Sequence, residues 1–203
     1  MTDNFELIKP LLTFPSDDIY YHLQILRRGK DHPELPAANK MIKAYFICSL
    51  EGLDAVEEEV KKLTEFFEAR AYINLTPKSL YKTALLNMKY LTQRIYEGDV
   101  KKIWKAWNTC AGEIKGMESR FVVDVDDCSS EDDLDEIEDF IDTLGPRITI
   151  NGEKDITPSH IIAEIPTVSG FHIITRPFDV QAFRNRYKDI DIHKNNPTLL
   201  YKP

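Results

Sequence analysis

Arg120-Phe-Val-Val-Asp-Val-Asp-Asp127 is the stretch whose reading decides the fold. It is short, β-branched and bounded by polar residues, which predicts a buried strand and not a helix. Alternate side chains on a strand share a face, so Phe121, Val123 and Val125 point one way. Val122, Asp124 and Asp126 point the other. Two neighbouring carboxylates repel unless a cation sits between them, and hard oxygen ligands suit Mg²⁺ or Mn²⁺. Taken alone, Asp-x-Asp better suits a solvated strand end running into an acidic loop. Partners further along the chain turn the reading toward a site.

After this strand, Ser129-Ser-Glu-Asp predicts a helix start close to a capping box, with Leu134, Ile137, Ile141 and Leu144 facing inward until Gly145-Pro146. Ile161–Ile165 and Phe171–Thr175 read as a hairpin joined by residues 166–170. Asp179 caps a short helix bearing Val180, Phe183 and Tyr187, and Lys188–Ile192 reads as a last strand before the apolar run Leu199–Tyr201. Strand, helix, strand, strand, helix, strand is a split β-α-β pattern, like that of an RNA-recognition motif.

Upstream, Lys43–Leu50 and Ala71–Leu75 read as strands. A helix carrying Leu53, Val56, Val60, Leu63 and Phe67 lies between them. A second helix starts near Thr76-Pro77, turns Ala84, Met88, Leu91 and Ile95 inward, and stops at Gly98. A third is expected from Val100 to about Cys110, its Trp104 and Trp107 serving the core more readily than base stacking. Residues 1 to about 40 read as irregular, except for a short helix over Ile19–Leu26 capped by Ser16-Asp-Asp and ending in the basic cluster Arg27-Arg-Gly-Lys30. The expected architecture is therefore α+β. An extension (1–40) and a β-α-β-α unit (41–118) pack on an RNA-recognition-motif-like half (119–203) as one body with a cleft.

The 203 residues carry a formal charge of −8, which on its face argues against a nucleic-acid partner. The charge is local. Eleven acidic residues and no Lys or Arg fall between Asp124 and Asp142, leaving 26 basic against 23 acidic residues elsewhere. A nucleic-acid surface on another face stays open. Three widely spaced cysteines, Cys48, Cys110 and Cys128, indicate neither a disulfide framework nor a zinc site. With no span-length apolar run and an acidic start, a cytoplasmic protein with no membrane partner is expected.

Two further segments supply chemistry. In Ser169-Gly-Phe-His172-Ile-Ile-Thr-Arg176, a hydroxyl, an imidazole and a guanidinium suit the many acceptor oxygens of a triphosphate. Arg176 is placed there by strand-face geometry alone. Asp191, between the inward Ile190 and Ile192 and sharing its face with Asp189 and His193, adds a third carboxylate. Three carboxylates suit a two-ion site, able to activate a 3′-hydroxyl and stabilise departing pyrophosphate.

The order Val123-Asp124-Val125-Asp126, Ser169-Gly170-Phe171-His172, Ile190-Asp191 resembles the signature of the archaeo-eukaryotic primase and primase-polymerase superfamily, over roughly residues 40 to 203. The resemblance implies metal binding by Asp124, Asp126 and Asp191, with Ser169 and His172 on the nucleotide phosphates. It implies a metal-dependent nucleotidyltransferase that makes or extends a primer from nucleoside triphosphates on a single-stranded DNA template. Lacking a zinc cluster and a G-x-x-x-x-G-K-[ST] loop, such a core would work with a helicase on a separate chain, a format met in viral and mobile-element proteins. The competing reading is a catalytically inactive nucleic-acid-binding or replication-interaction module on the same fold. A calcium loop at Asp124-x-Asp126 is disfavoured by Cys128 and Ser129 at its fifth and sixth positions, where the sixth needs Gly. Lys154-Asp155-Ile156 lacks the Gly expected of a lysine-adduct motif.

Overall fold

The computed structural model describes residues 1–33, 39–126, 131–145, 149–150, 153–154 and 159–203. The capping box at Ser129, the helix stop at Pro146 and the Lys154-Asp155-Ile156 segment beyond Lys154 lie outside the described residues. No helix is long and apolar enough to cross a membrane among the described residues.

The chain folds into an α+β body with two main antiparallel sheets. The first takes strands from both ends of the sequence. Its members are β1 (Thr2–Asp3), β2 (Ile19–Arg27), β3 (Lys40–Ile47), β4 (Arg70–Ser79) and β11 (Thr198–Lys202), in the order β1-β11-β4-β2-β3. The predicted helix at Ile19–Leu26 is thus a central strand. Its apolar spacing imitates a helix because both of its faces are covered: Tyr20, Tyr21, Leu23 and Ile25 are all buried. A strand buried on both sides loses the alternation that identifies it. The Ser16-Asp-Asp capping signal is real but serves another helix. Asp18 Oδ1 accepts from the Tyr81 N–H at 2.7 Å and the Asp18 carbonyl accepts from the Leu80 N–H at 2.8 Å, both at the start of α3 (Leu80–Tyr96). The Ser79 hydroxyl, and after it the Tyr81 N–H, hold the Asp18 carboxyl below its ordinary range.

Thr76-Pro77 does not begin that helix. The strand runs on to Ser79, whose hydroxyl caps α3 by accepting from Lys82 N. Gly98, at φ 73°, ends it in the left-handed conformation that glycine adopts without strain. Helix α3 turns Met88 and Ile95 outward, 64% and 62% exposed, against the expected inward face. The predicted helix from Val100 is a 3-10 turn over Val100–Lys105 followed by α4 (Ala106–Glu113). Trp104 is exposed, whereas Trp107 meets Phe46 edge to face.

α1 (Phe5–Ile8) and α2 (Leu50–Phe66) supply Phe5, Ile8, Leu53 and Val60 to a core shared with Leu23, Ile25, Tyr45, Ile47, Ala71 and Ile73 of the first sheet. That core continues into Val122, Ile165 and Ile174 of the second sheet and so joins the two.

The second sheet comprises β5 (Phe121–Asp126), β8 (Ile161–Pro166), β9 (Gly170–Thr175) and β10 (Asp191–Lys194), in the order β10-β5-β9-β8. β6 (Thr149–Ile150) and β7 (Glu153–Lys154) pair with each other apart from it. With α5 (Glu131–Thr143) after β5 and α6 (Val180–Arg186) after β9, this is the split β-α-β arrangement expected from the sequence. The predicted alternation holds. Phe121, Val123 and Val125 pack with Leu134, Ile137, Ile141 and Phe183 in a second core, while Val122 faces the first. Asp179 caps α6 by accepting from Gln181 N and Ala182 N. The strand expected over Lys188–Ile192 is β10, which begins at Asp191, and the apolar run Leu199–Tyr201 after it forms a further strand, β11. Asn195, at φ 57°, turns the chain from β10 into β11. Its carbonyl accepts from Asn74 Nδ2 at 2.7 Å and its side-chain oxygen accepts from Arg120 N at 3.2 Å, which pins the crossing between sheets.

Candidate active site

Antiparallel register places Asp191, Asp124 and His172 directly opposite one another on β10, β5 and β9. Directly opposed residues share a face and stand about 4.5–5.5 Å apart at Cβ. The row lies on the face of Val122, which is turned to the first sheet, as strand alternation requires. One step along, Asp126 is opposite Gly170, and Ser169 Oγ donates to Asp126 Oδ1 at 2.6 Å. Gly170 is there because the strands approach too closely for a side chain. A Cβ on it would lie 1.9 Å from the Val125 carbonyl oxygen.

His172 is held on both ring nitrogens. Nε2 lies 3.3 Å from Asp124 Oδ1 and Nδ1 lies 2.8 Å from Thr198 Oγ1 on β11 of the first sheet. A carboxylate only accepts, so in the neutral ring the proton sits on Nε2 and Nδ1 accepts from the threonine hydroxyl. The Asp124 carboxyl is held below its ordinary range, chiefly by the His172 hydrogen bond and also by the charges of His172, His193 and Arg28, against the opposing effect of burial. Asp191 is exposed and has no side-chain hydrogen bond or ion pair among the described residues.

A pocket of about 220 Å³ opens between the sheets at this row. Asp124, His172 and His193 line it from the second sheet, Arg28 and Tyr72 from the first, and Asn196 from the crossing loop. Arg28 donates to the Tyr72 hydroxyl at 3.3 Å. Sequence reasoning placed Arg28 at a helix end. It reaches the site because β2 is a strand, and only recognising that strand would have found it. Arg176 does not join the group. It follows the end of β9, the end away from Asp126, where its guanidinium donates to the Ser159 carbonyl at 2.8 Å.

The donor chemistry fits a hard divalent ion: three carboxylates, two directly opposed and the third two residues along. In the present side-chain arrangement Asp124 is turned to His172 and Asp126 to Ser169. Among the described residues no three His, Cys, Asp or Glu side chains gather closely enough to hold a metal. A second, larger groove of about 890 Å³ adjoins the pocket at Asn39, which lines both. Arg27, Lys40, Lys43 and Lys105 line it with Asn108 and Thr109, and among the described residues no acidic side chain does. Lys43 is paired with Glu59 at 2.5 Å, whereas Lys40 and Lys105 are exposed. Trp104, 90% exposed, precedes Lys105.

No protein-family model, curated protein or solved structure matches the chain.

Proposed function

We propose that the protein is a metal-dependent nucleotidyltransferase of the primase-polymerase type, acting on nucleoside triphosphates with a single-stranded template. The observation that carries this reading is the like-charged pair Asp124 and Asp191, directly opposite across the β10–β5 ladder with His172 beyond. Like charges in that position are destabilising. A protein that keeps them beside Asp126, with Asp124 lining the pocket, gains where a cation binds. The split β-α-β sheet in the second half, packed on an α/β unit, supports the architecture that the sequence motifs resemble.

Asp124, Asp126 and Asp191 hold Mg²⁺ or Mn²⁺ in this reading, Asp126 exchanging its bond to Ser169 for the ion. When bound, the ions favour ionisation of the attacking 3′-hydroxyl and offset charge on departing pyrophosphate. His172, fixed by Thr198, with His193 on the same sheet and Arg28 across the pocket, meets the phosphate oxygens, with Ser169 at the rim. Arg28 takes the part expected of Arg176. The basic groove beyond Asn39 follows a template backbone, with Trp104 available to stack on a base. Any helicase acts from another chain.

The test is thermal. Three carboxylates that hold an ion make the midpoint of unfolding rise with added Mn²⁺ and triphosphate. The double substitution Asp124→Asn with Asp126→Asn abolishes that rise and leaves the metal-free protein at least as stable. An unchanged response in the double variant places the ion elsewhere and removes the site.

One observation favours the second reading, an inactive nucleic-acid-binding module: Asp124 and Asp126 each already have a partner, in His172 and Ser169. That reading predicts template binding with no metal response at all.

A further inference from the structure

We propose that α3 is the surface through which two copies of this chain associate. Its amphipathicity is inverted. At 3.6 residues per turn, Tyr81, Leu85, Met88, Thr92, Ile95 and Tyr96 fall within about 100° of arc, the width of a core-facing stripe. That stripe faces solvent: every one of the six is exposed, Tyr96 to 93%. The one fully buried residue of the helix is polar, and its inward side mixes polar groups with the part-buried Leu86 and Leu91. Thr83, wholly buried, shares a hydrogen bond with the Tyr20 hydroxyl at 3.0 Å, and Asn87 buries its Oδ1 without a partner.

A soluble helix normally turns its apolar stripe inward, and an exposed contiguous apolar patch of this size marks an interaction surface. Large side chains of this kind bury 150–250 Å² each when fully covered, so the half-or-more exposed members of the stripe present on the order of 600 Å². Two copies face to face then bury on the order of 1,200 Å², above the ~1,000 Å² that a specific interface needs. Spacing and charge suit a second copy. About Met88 the other members stand at minus seven, minus three, plus four, plus seven and plus eight. The stripe thus runs unbroken for about four turns of the helix, and an isologous contact lays such a patch on its own copy. None of its side chains is charged, so nothing within it repels its copy. The chain's concentrated negative charge, between Asp124 and Asp142, lies on other elements. This inference does not depend on the proposed activity.

Sedimentation equilibrium on the full chain tests it. The wild type is expected to dimerise at micromolar concentration. Leu85→Lys with Met88→Lys is expected to weaken association by about 30-fold or more, as loss of a central contact does. Its circular-dichroism melt, taken at a concentration where the wild type is monomeric, stays unchanged because both side chains touch solvent. If the double variant melts early, Tyr96→Lys, at the most exposed position, serves instead. A wild type that stays monomeric to high micromolar concentration, or variants that dimerise as tightly as the wild type, overturns the proposal.

Discussion

Gly170→Ala is a direct probe of the β5–β9 register on which the site rests. The added methyl would lie 1.9 Å from the Val125 carbonyl oxygen and 3.0 Å from the Asp126 Cα, both backbone atoms of the facing strand that cannot swing aside. Relief requires β9 to move from β5 by about 1 Å or more at this point, and overpacking of this kind typically costs 1–3 kcal/mol. Gly170 has no positive φ, so backbone strain contributes nothing and the penalty is steric. At the middle of that range, a chain of this length should lose roughly 4–8 °C in midpoint. Displacing β9 from β5 also disturbs the pairing of Asp124 with His172, so metal and triphosphate response should fall with stability. Gly112→Ala is the control. Nothing lies within 4 Å of the methyl it would add and it sits in α4, so it should be neutral or slightly stabilising. Thermal unfolding of both variants by circular dichroism settles the matter. A Gly170→Ala protein as stable as Gly112→Ala would refute the register and with it the row Asp191–Asp124–His172.

Two further outcomes follow from the electrostatics. The Glu138 carboxyl on α5 is pushed up to about 7 by burial first and then by Glu164, Asp135 and Asp142, and its Oε1 is buried without a partner. A raised carboxyl stabilises the fold below the unfolded value near 4.5 and loses that contribution as pH rises through 7. Glu138→Gln should therefore match the wild type at pH 4.5 and exceed it at pH 8 by on the order of 1 kcal/mol, after discounting for solvent screening; equal melts at pH 8 would contradict this. His172→Ala should weaken triphosphate binding while leaving affinity for a single-stranded oligonucleotide nearly intact. Lys40→Ala with Lys105→Ala should do the reverse and flatten the salt dependence of oligonucleotide binding, both read by fluorescence anisotropy. Identical profiles for the two variants would mean that pocket and groove are not separate ligand sites.

The parts of the fold legible in the sequence are those where one face of an element is covered and the other wet. β5 shows its alternation because Phe121, Val123 and Val125 meet α5 and α6 while Asp124 lines the pocket and Asp126 is exposed. α5 was readable for the same reason, its acidic residues Asp133, Asp135, Glu136, Asp139 and Asp142 all being exposed. β2 was not, because burial on both sides leaves a run with no period. Asp18, a cap in sequence, caps a helix that begins 62 residues later. α3 misled in the opposite sense, since its pattern is amphipathic but its apolar side is outward. At the site, the carboxylates and His172 came from motif spacing. His193 shares the strand face of Asp191, as alternation placed it, whereas Arg28 and Thr198 came only from the meeting of the two sheets, a long-range fact that no local pattern encodes.

The central claim is that this row of side chains transfers nucleotides, and primer extension measures that most directly. Labelled deoxynucleoside or ribonucleoside triphosphates, a primed single-stranded template and Mg²⁺ or Mn²⁺ are incubated with wild-type protein and with Asp126→Asn and Asp191→Asn. The account predicts template-directed extension by the wild type and none by either variant, with template affinity retained in all three. Wild-type protein that binds template without extending it, or variants that extend as the wild type does, would contradict the claim.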